Sequence, residues 1–403
     1  MNDESIRGEG VKVTRPNPVP LLLTIAYLAF VSLGLPDAVL GVAWPSVRET
    51  FSLPLSGLGM VLVGTGTGYF LSGLLAGRLV QTLGVGTLLT VSSALVALSL
   101  FGYSLAPVWP LFLLCTPFIG MGSGAIDSGI NAYAASHFPV RHVNWLHACY
   151  GFGAMLGPLV MTGALVRSGS WRWGYVAIGA MLLLMALAFG STRASWRTAG
   201  APGAASAEAR VGTLQALGHP MVWLQVVIFF VYTGLEVTAG QWCFTLYTEA
   251  RGVPRELAGT WAGLYWGSLA VGRVFMGFVV ERLGPDRLLR FSILSAVAGS
   301  ALFAFGPTLA SFGGLLLIGM SLAPIYPTLM SRTPGRLGEG YAAHAVGFQV
   351  SAAMLGAAIL PSLAGVLAGR FGLGMVGWVT VAAAAVLWLL HETLLKLTPR
   401  SAA

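Results

Sequence analysis

Along most of the chain, apolar residues run unbroken for about 20 positions or more and give way only to short polar or Gly/Pro-containing turns. Runs of that length suit helices that cross a bilayer, whose hydrocarbon core is about 30 Å thick. Lipid cannot satisfy open backbone groups, so a spanning chain must be helical or a closed barrel. Barrel strands alternate apolar and polar residues; these runs are continuous, and helices are predicted. Twelve spans are expected, at 19–46, 55–80, 84–106, 109–135, 144–167, 171–190, 219–248, 257–282, 287–309, 311–331, 342–369 and 372–396. The one long polar interruption, STRASWRTAGAPGAASAEARVGTL, follows the sixth span and reads as a linker. The expected organisation is a tail (1–18), a six-helix bundle (19–190), a linker (191–218), a second six-helix bundle (219–396) and a short end (397–403).

Composition narrows the class further. Of 403 residues, 56% are hydrophobic and only 9% charged, against about a quarter charged in soluble proteins. The net charge of +8 does not point to nucleic acid, because the basic residues sit singly in short connections rather than on one face or tail. An even number of spans puts both termini on one side of the membrane. Fifteen of the 22 lysines and arginines fall on that side and six on the other, with Arg273 inside a span. By the positive-inside rule both termini are expected in the cytoplasm, and the chain in the cell inner membrane. Cys115, Cys149 and Cys243 lie apart within apolar runs and suggest neither disulfides nor zinc. The leader MNDESIRGEGVKVTRPNPVP precedes a run too long for a signal-peptide core, so that run is expected to stay as the first span. No nucleophile–base set or metal-ligand spacing occurs, so neither enzyme nor cofactor or metal chemistry is expected. A monomer in lipid is expected.

The two halves echo each other. FIGMGSGAI (118–126) aligns with LIGMSLAPI (317–325), and AMLG at 154–157 with AMLG at 353–356, both at an offset of 199. GLLAGRL (73–79) pairs with GFVVERL (277–283) at 204. A near-constant offset is what two parallel six-helix repeats leave behind.

Three acids and one base stand deep within the spans: Asp37, Asp127, Glu236 and Arg273. A carboxylate at a helix centre costs about 2.5–3.5 kcal/mol on insertion scales, so such acids face a bundle interior or water. Gly120, Gly124, Asp127 and Asn131 share one helix face by their spacing. Pro36 removes a backbone donor beside Asp37 and is expected to kink the first span. Glu236 mirrors Asp37 in the seventh span. Arg273 fits either an anionic solute or an ion pair with Glu236 or another acid. His147 and His344 open corresponding spans, where histidine can relay protons or serve as an interfacial hydrogen-bonding residue. Gln241, Asn144 and Gln349 are available as polar hooks, and Trp242 and Tyr326 as aromatic walls, for a small polar solute.

The connection GFVVERLGPDRLL resembles the loop motif of the major facilitator family, with Gly277, Glu281, Arg282, Gly284 and Arg287 in matching places. Its first-half counterpart keeps Gly73 and Arg78 but carries Gly77 where that family usually has Asp. The resemblance covers nearly the whole chain. It implies twelve helices in two pseudo-symmetric bundles, with these loop residues locking helices together on the cytoplasmic side.

Within that family the fourth and fifth spans are similar to fucose:proton symporter-like sugar permeases. The shared pattern is Gly122, Gly124, Asp127 and Asn131, followed by Asn144 and the FGA of 152–154, with Tyr326-Pro327 in the tenth span. GLEVTAGQW looks closer to glucose-permease-like relatives. The resemblance implies that Asp37 and Asp127 couple protons to movement of a sugar or related solute. His147 and Tyr150 stand where the fucose symporter carries amides, and the fourth-span acid is Asp rather than Glu. The competing expectation is proton-driven drug efflux: GAMLGPLVMTG (153–163) partly resembles the antiporter motif, but Met161 and Thr162 replace its paired glycines and Thr116 stands near its missing arginine.

Overall fold

The computed structural model describes residues 20–196 and 213–398; the expected tail 1–18, the middle of the linker and the last five residues lie outside the described residues. Helices α1 (Pro20–Asp37) and α2 (Val39–Thr50) form the first span, broken at Ala38. It is followed by α3 (Gly57–Leu83), α4 (Val85–Leu105), α5 (Trp109–His137), α6 (Val140–Ser168) and α7 (Trp171–Thr192). After the short α8 (Thr213–Leu217), the second half runs through α9 (Pro220–Thr245), which continues as a π-helical turn to Ala250, then α10 (Arg255–Leu283) and α11 (Pro285–Phe305). The tenth span is again broken, into α12 (Thr308–Leu322) and α13 (Ile325–Leu337), and α14 (Glu339–Phe371) and α15 (Met375–Leu397) complete the bundle.

Eleven of these spans are long and apolar enough to cross a membrane by composition alone. The twelfth, α10, has 29 residues, and Glu256, Arg273 and Arg282 lower its hydropathy. Observed helices overrun the expected boundaries where polar residues find partners. The tenth span was expected to stop at 331, before its first arginine, but α13 continues to Leu337. Arg332 and Arg336 both reach Asp286 at the start of α11, at 3.2 and 2.9 Å, so the extra turns carry paired charges.

The repeat is visible in how helix ends are satisfied. The last carbonyls of a helix have no intrahelical donor. Arg172 donates to the carbonyls of Ser104 and Ala106 at the end of α4. Arg251 does the same for Phe303, Ala304 and Gly306 at the end of α11. Equivalent helix ends are thus capped by arginines from non-equivalent places, each cation also complementing the helix dipole.

The two halves meet at the end of the bundle remote from the termini. There Arg48 Nη2 of α2 donates to both carboxylate oxygens of Glu249, at 2.7 and 2.6 Å. Gly41 lies so close to α9 that a Cβ would come 2.6 Å from the Gln241 carbonyl oxygen. Along α3 and α14, a Cβ at Gly59 would touch Ser362 Oγ at 2.5 Å, and one at Gly66 would stand 3.9 Å from Ala358 Cβ. Two turns from Gly66 and three from Ala358 toward the termini, a Cβ at Gly73 on α3 or at Gly347 on α14 would meet nothing within 4 Å. The halves therefore close at the remote end and part toward the terminal end.

Candidate functional site

Between the halves, the first span breaks beside its acid. Pro36 has no N–H to donate and α1 ends at Asp37. At that break the carbonyl of Asp37 accepts from Gln241 Nε2 of α9 at 2.9 Å. The side chain of Asp37 turns to α6, where Tyr150 donates its hydroxyl to Oδ2 at 2.7 Å. Helices α1 and α6 can approach this closely because of glycine: a Cβ at Gly34 would fall 2.1 Å from the Tyr150 carbonyl oxygen.

Asp127 on α5 is held in a similar way. Tyr69 of α3 donates to Oδ2 at 2.7 Å, and Asn131 Nδ2, one turn along the same helix, donates to Oδ1 at 2.8 Å. Asp37 and Asp127 are both partly exposed, and they lie within electrostatic reach of each other. Each thus accepts a tyrosine hydroxyl, and neither has a cation paired with it by an ion pair among the described residues.

The third acid is compensated. Glu236 accepts from the Tyr232 hydroxyl through Oε2, and its Oε1 stands 3.9 Å from Arg273 Nη2. Tyr265 fixes the same turn by donating to the Glu236 carbonyl at 2.8 Å. Arg273 also lies within electrostatic reach of Tyr150 and Tyr326, and His147 within reach of both Asp127 and Arg273. Tyr326, just past the break between α12 and α13, packs edge-on against Phe229 and lies within reach of Asp127 and Glu236. One polar cluster therefore spans α1, α3, α5 and α6 of the first half and α9, α10 and α13 of the second.

Other expected site residues stand apart from it. Gln349 is fully buried, with its amide bonded to Gln225 and Thr333 within the second half. Trp242 is fully buried as well and donates to the Pro361 carbonyl at 2.9 Å. His344 lies against Phe348. The side chains of Asn144 and Glu281, and Gly277, lie outside the described residues. Of the loop-motif residues, Gly73, Arg78, Arg282 and Arg287 are exposed, and nearby Asp286 holds Arg332 and Arg336.

Tyr69 and Tyr232 were missed in the sequence. Tyr69 had a signal: the loop pairing at an offset of 204 sets it opposite Arg273. Tyr232 had one too, at four residues before Glu236 on the same helix.

Two six-helix halves around a polar cluster, closed at one end, define a helical membrane carrier. The match to the model of the Major Facilitator Superfamily covers residues 26–352, and the chain belongs to that family. It is a multi-pass membrane transport protein, not an enzyme. It is 24% identical to bypass of stop codon protein 6 of Saccharomyces cerevisiae over 97% of this chain and 87% of that protein. It is 23% identical to sodium-dependent glucose transporter 1 of Homo sapiens (92% and 78% covered) and 19% identical to the glucose/mannose transporter GlcP of Bacillus subtilis (84% and 86%). Among solved structures, a D-xylose-proton symporter superposes with a TM-score of 0.76 at 15% identity, covering 94% of this chain and 98% of that one. The transporter FucP in its outward conformation gives 0.62 at 18% identity, covering 93% and 98%.

Proposed function

We propose that this protein is a proton-coupled symporter of a small neutral, sugar-like solute, working by alternating access. The observation that carries this reading is the asymmetry among the three acids. Asp37 and Asp127 are partly exposed and held only by neutral donors, whereas Glu236 has Arg273 beside it. Protonating an acid that has no cationic partner breaks no ion pair, so such an acid can gain and lose its proton during the cycle, and that is what coupling requires. Glu236 is the third coupling candidate, and its pairing supports a lesser part for it, that of holding Arg273 next to the site.

In this mechanism the two bundles rock about the cluster and expose it to each side in turn. Protonation of Asp127 and Asp37 neutralises them, and the loaded carrier reorients. Asn131, His147, Tyr150, Gln241 and Tyr326 contact the solute. Gln349 and Trp242 act from behind, by fixing α14 and α9. The termini lie in the cytoplasm, so the conformation described opens inward, and Arg78, Arg282, Arg287 and Asp286 line the rim that closes when the carrier turns outward. The relatives whose names include glucose and the xylose–proton symporter fold support a sugar-like solute. The human relative is named sodium-dependent, so the coupling ion is the part to test first.

Labelled D-glucose uptake into proteoliposomes under an imposed pH gradient, compared with an imposed sodium gradient, separates the two ions. Accumulation is expected with the pH gradient alone. Accumulation that follows sodium at constant pH would replace the proton reading, and uptake of cationic drugs in place of glucose would favour an efflux carrier.

A further inference from the structure

Above the charged cluster, toward the closed end, Trp266 and Gln241 are among the buried side chains with a polar atom that has no partner among the described residues. Trp266 of α10 is 7% exposed and its indole Nε1 has no hydrogen-bond acceptor. Gln241 of α9 is 3% exposed; its Nε2 is used on the Asp37 carbonyl, and its Oε1 has no donor. Trp266 lies seven residues before Arg273, on the same face of α10 and about 10 Å nearer the closed end. Its ring lies over Gly240: a Cβ there would come 2.4 Å from Trp266 Cζ2 and 2.9 Å from Cε2, the carbon bonded to the indole nitrogen. The N–H edge of the indole therefore borders the residue next to Gln241.

An orphaned donor and an orphaned acceptor at one level of the bundle are costly to leave unmatched, at about 1–3 kcal/mol each. The chemistry of a matching ligand follows from the pair. A cation cannot accept from an indole N–H. A carboxylate group accepts but has no proton to donate to an amide oxygen. Hydroxyl groups do both, and adjacent hydroxyls on one ring or chain can do both at once.

We infer that Trp266 is a specificity-determining residue: with Gln241 it forms the roof of the solute site and selects a neutral polyhydroxylated solute through one hydroxyl accepting from the indole and another donating to the amide. This rests on the proposed sugar-like solute and names the groups that recognise it. The absence of a side chain at Gly240 leaves the indole room to reach α9.

The test is equilibrium binding of D-glucose and its monodeoxy analogues to the purified protein and two variants. Trp266→Phe keeps the ring and loses the N–H; Gly240→Ala keeps the N–H and displaces the ring. Trp266→Phe is expected to weaken glucose binding about fivefold, the usual worth of one hydrogen bond. One deoxy analogue should bind the native protein and this variant equally, because its missing hydroxyl is the one that met the indole. Gly240→Ala is expected to weaken glucose as well. Native affinity for glucose in both variants, or an equal Trp266→Phe penalty for every deoxy analogue, would overturn the assignment. Failure of the native protein to bind any of these sugars, with binding of tetraphenylphosphonium or glucuronate, would instead refute the sugar-like reading and take the roof assignment with it.

Discussion

The Asp127→Asn variant is expected to exchange solute across a membrane but not to accumulate it. Asparagine has nearly the shape of a protonated aspartate. Its amide oxygen can still accept from Tyr69, which now donates to Oδ2 at 2.7 Å. The amide nitrogen would meet the Asn131 Nδ2 that now donates at 2.8 Å, and Asn131 relieves that clash by turning its own amide over. Folding and binding should therefore survive while the exchangeable proton is lost. The size of the effect follows from the driving force. One proton moving down 100 mV supplies about 2.3 kcal/mol, enough for a concentration ratio of about 50. That ratio should fall to about 1 in the variant, while counterflow of labelled against unlabelled solute stays near the native rate. Retained accumulation would remove Asp127 from the coupling pathway.

The second large effect concerns the closed end. The Arg48–Glu249 pair is partly exposed, and such pairs are worth about 0.2–1 kcal/mol, too little to hold two bundles together. Close packing of α3 on α14 and of α2 on α9 must contribute more. A covalent link across α3 and α14 is the stringent trial. A Cβ at Gly66 would stand 3.9 Å from Ala358 Cβ, inside the range of about 3.5–4.5 Å that a disulfide needs. Oxidising the double variant Gly66→Cys, Ala358→Cys should lower transport more than about tenfold, with recovery on reduction. The native cysteines, Cys115, Cys149 and Cys243, make the single variants necessary controls. Native transport by the cross-linked protein would mean that the halves need not separate there.

Much of the architecture could be read from hydropathy, because lipid forces every span to satisfy its own backbone. The break beside Asp37 was legible from Pro36, and the closeness of Glu236 and Arg273 from the rarity of buried charge. Which amide lies beside the charged cluster was not legible. Gln241 and Gln349 look alike in sequence, yet one bridges α9 to α1 and the other is absorbed by Gln225 and Thr333. Helices apolar on every side give no periodic mark of their inner face, so orientation is decided by partners far along the chain. Tyr69 is 58 residues from Asp127, and Tyr150 is 113 from Asp37. Asp286 escaped notice for the same reason, since the arginines it holds lie 46 and 50 residues away. The loop motif drew attention to its own arginines, Arg282 and Arg287, which are exposed.

The central claim is that Asp37 and Asp127 take up and release protons as solute passes. It is tested most directly by a pH electrode in a lightly buffered, sodium-free suspension of proteoliposomes at the moment solute is added outside. The native protein should alkalinise the medium in proportion to the solute taken up, and the Asp127→Asn variant should leave the pH unchanged. Solute entry into native vesicles with no movement of protons would contradict the account.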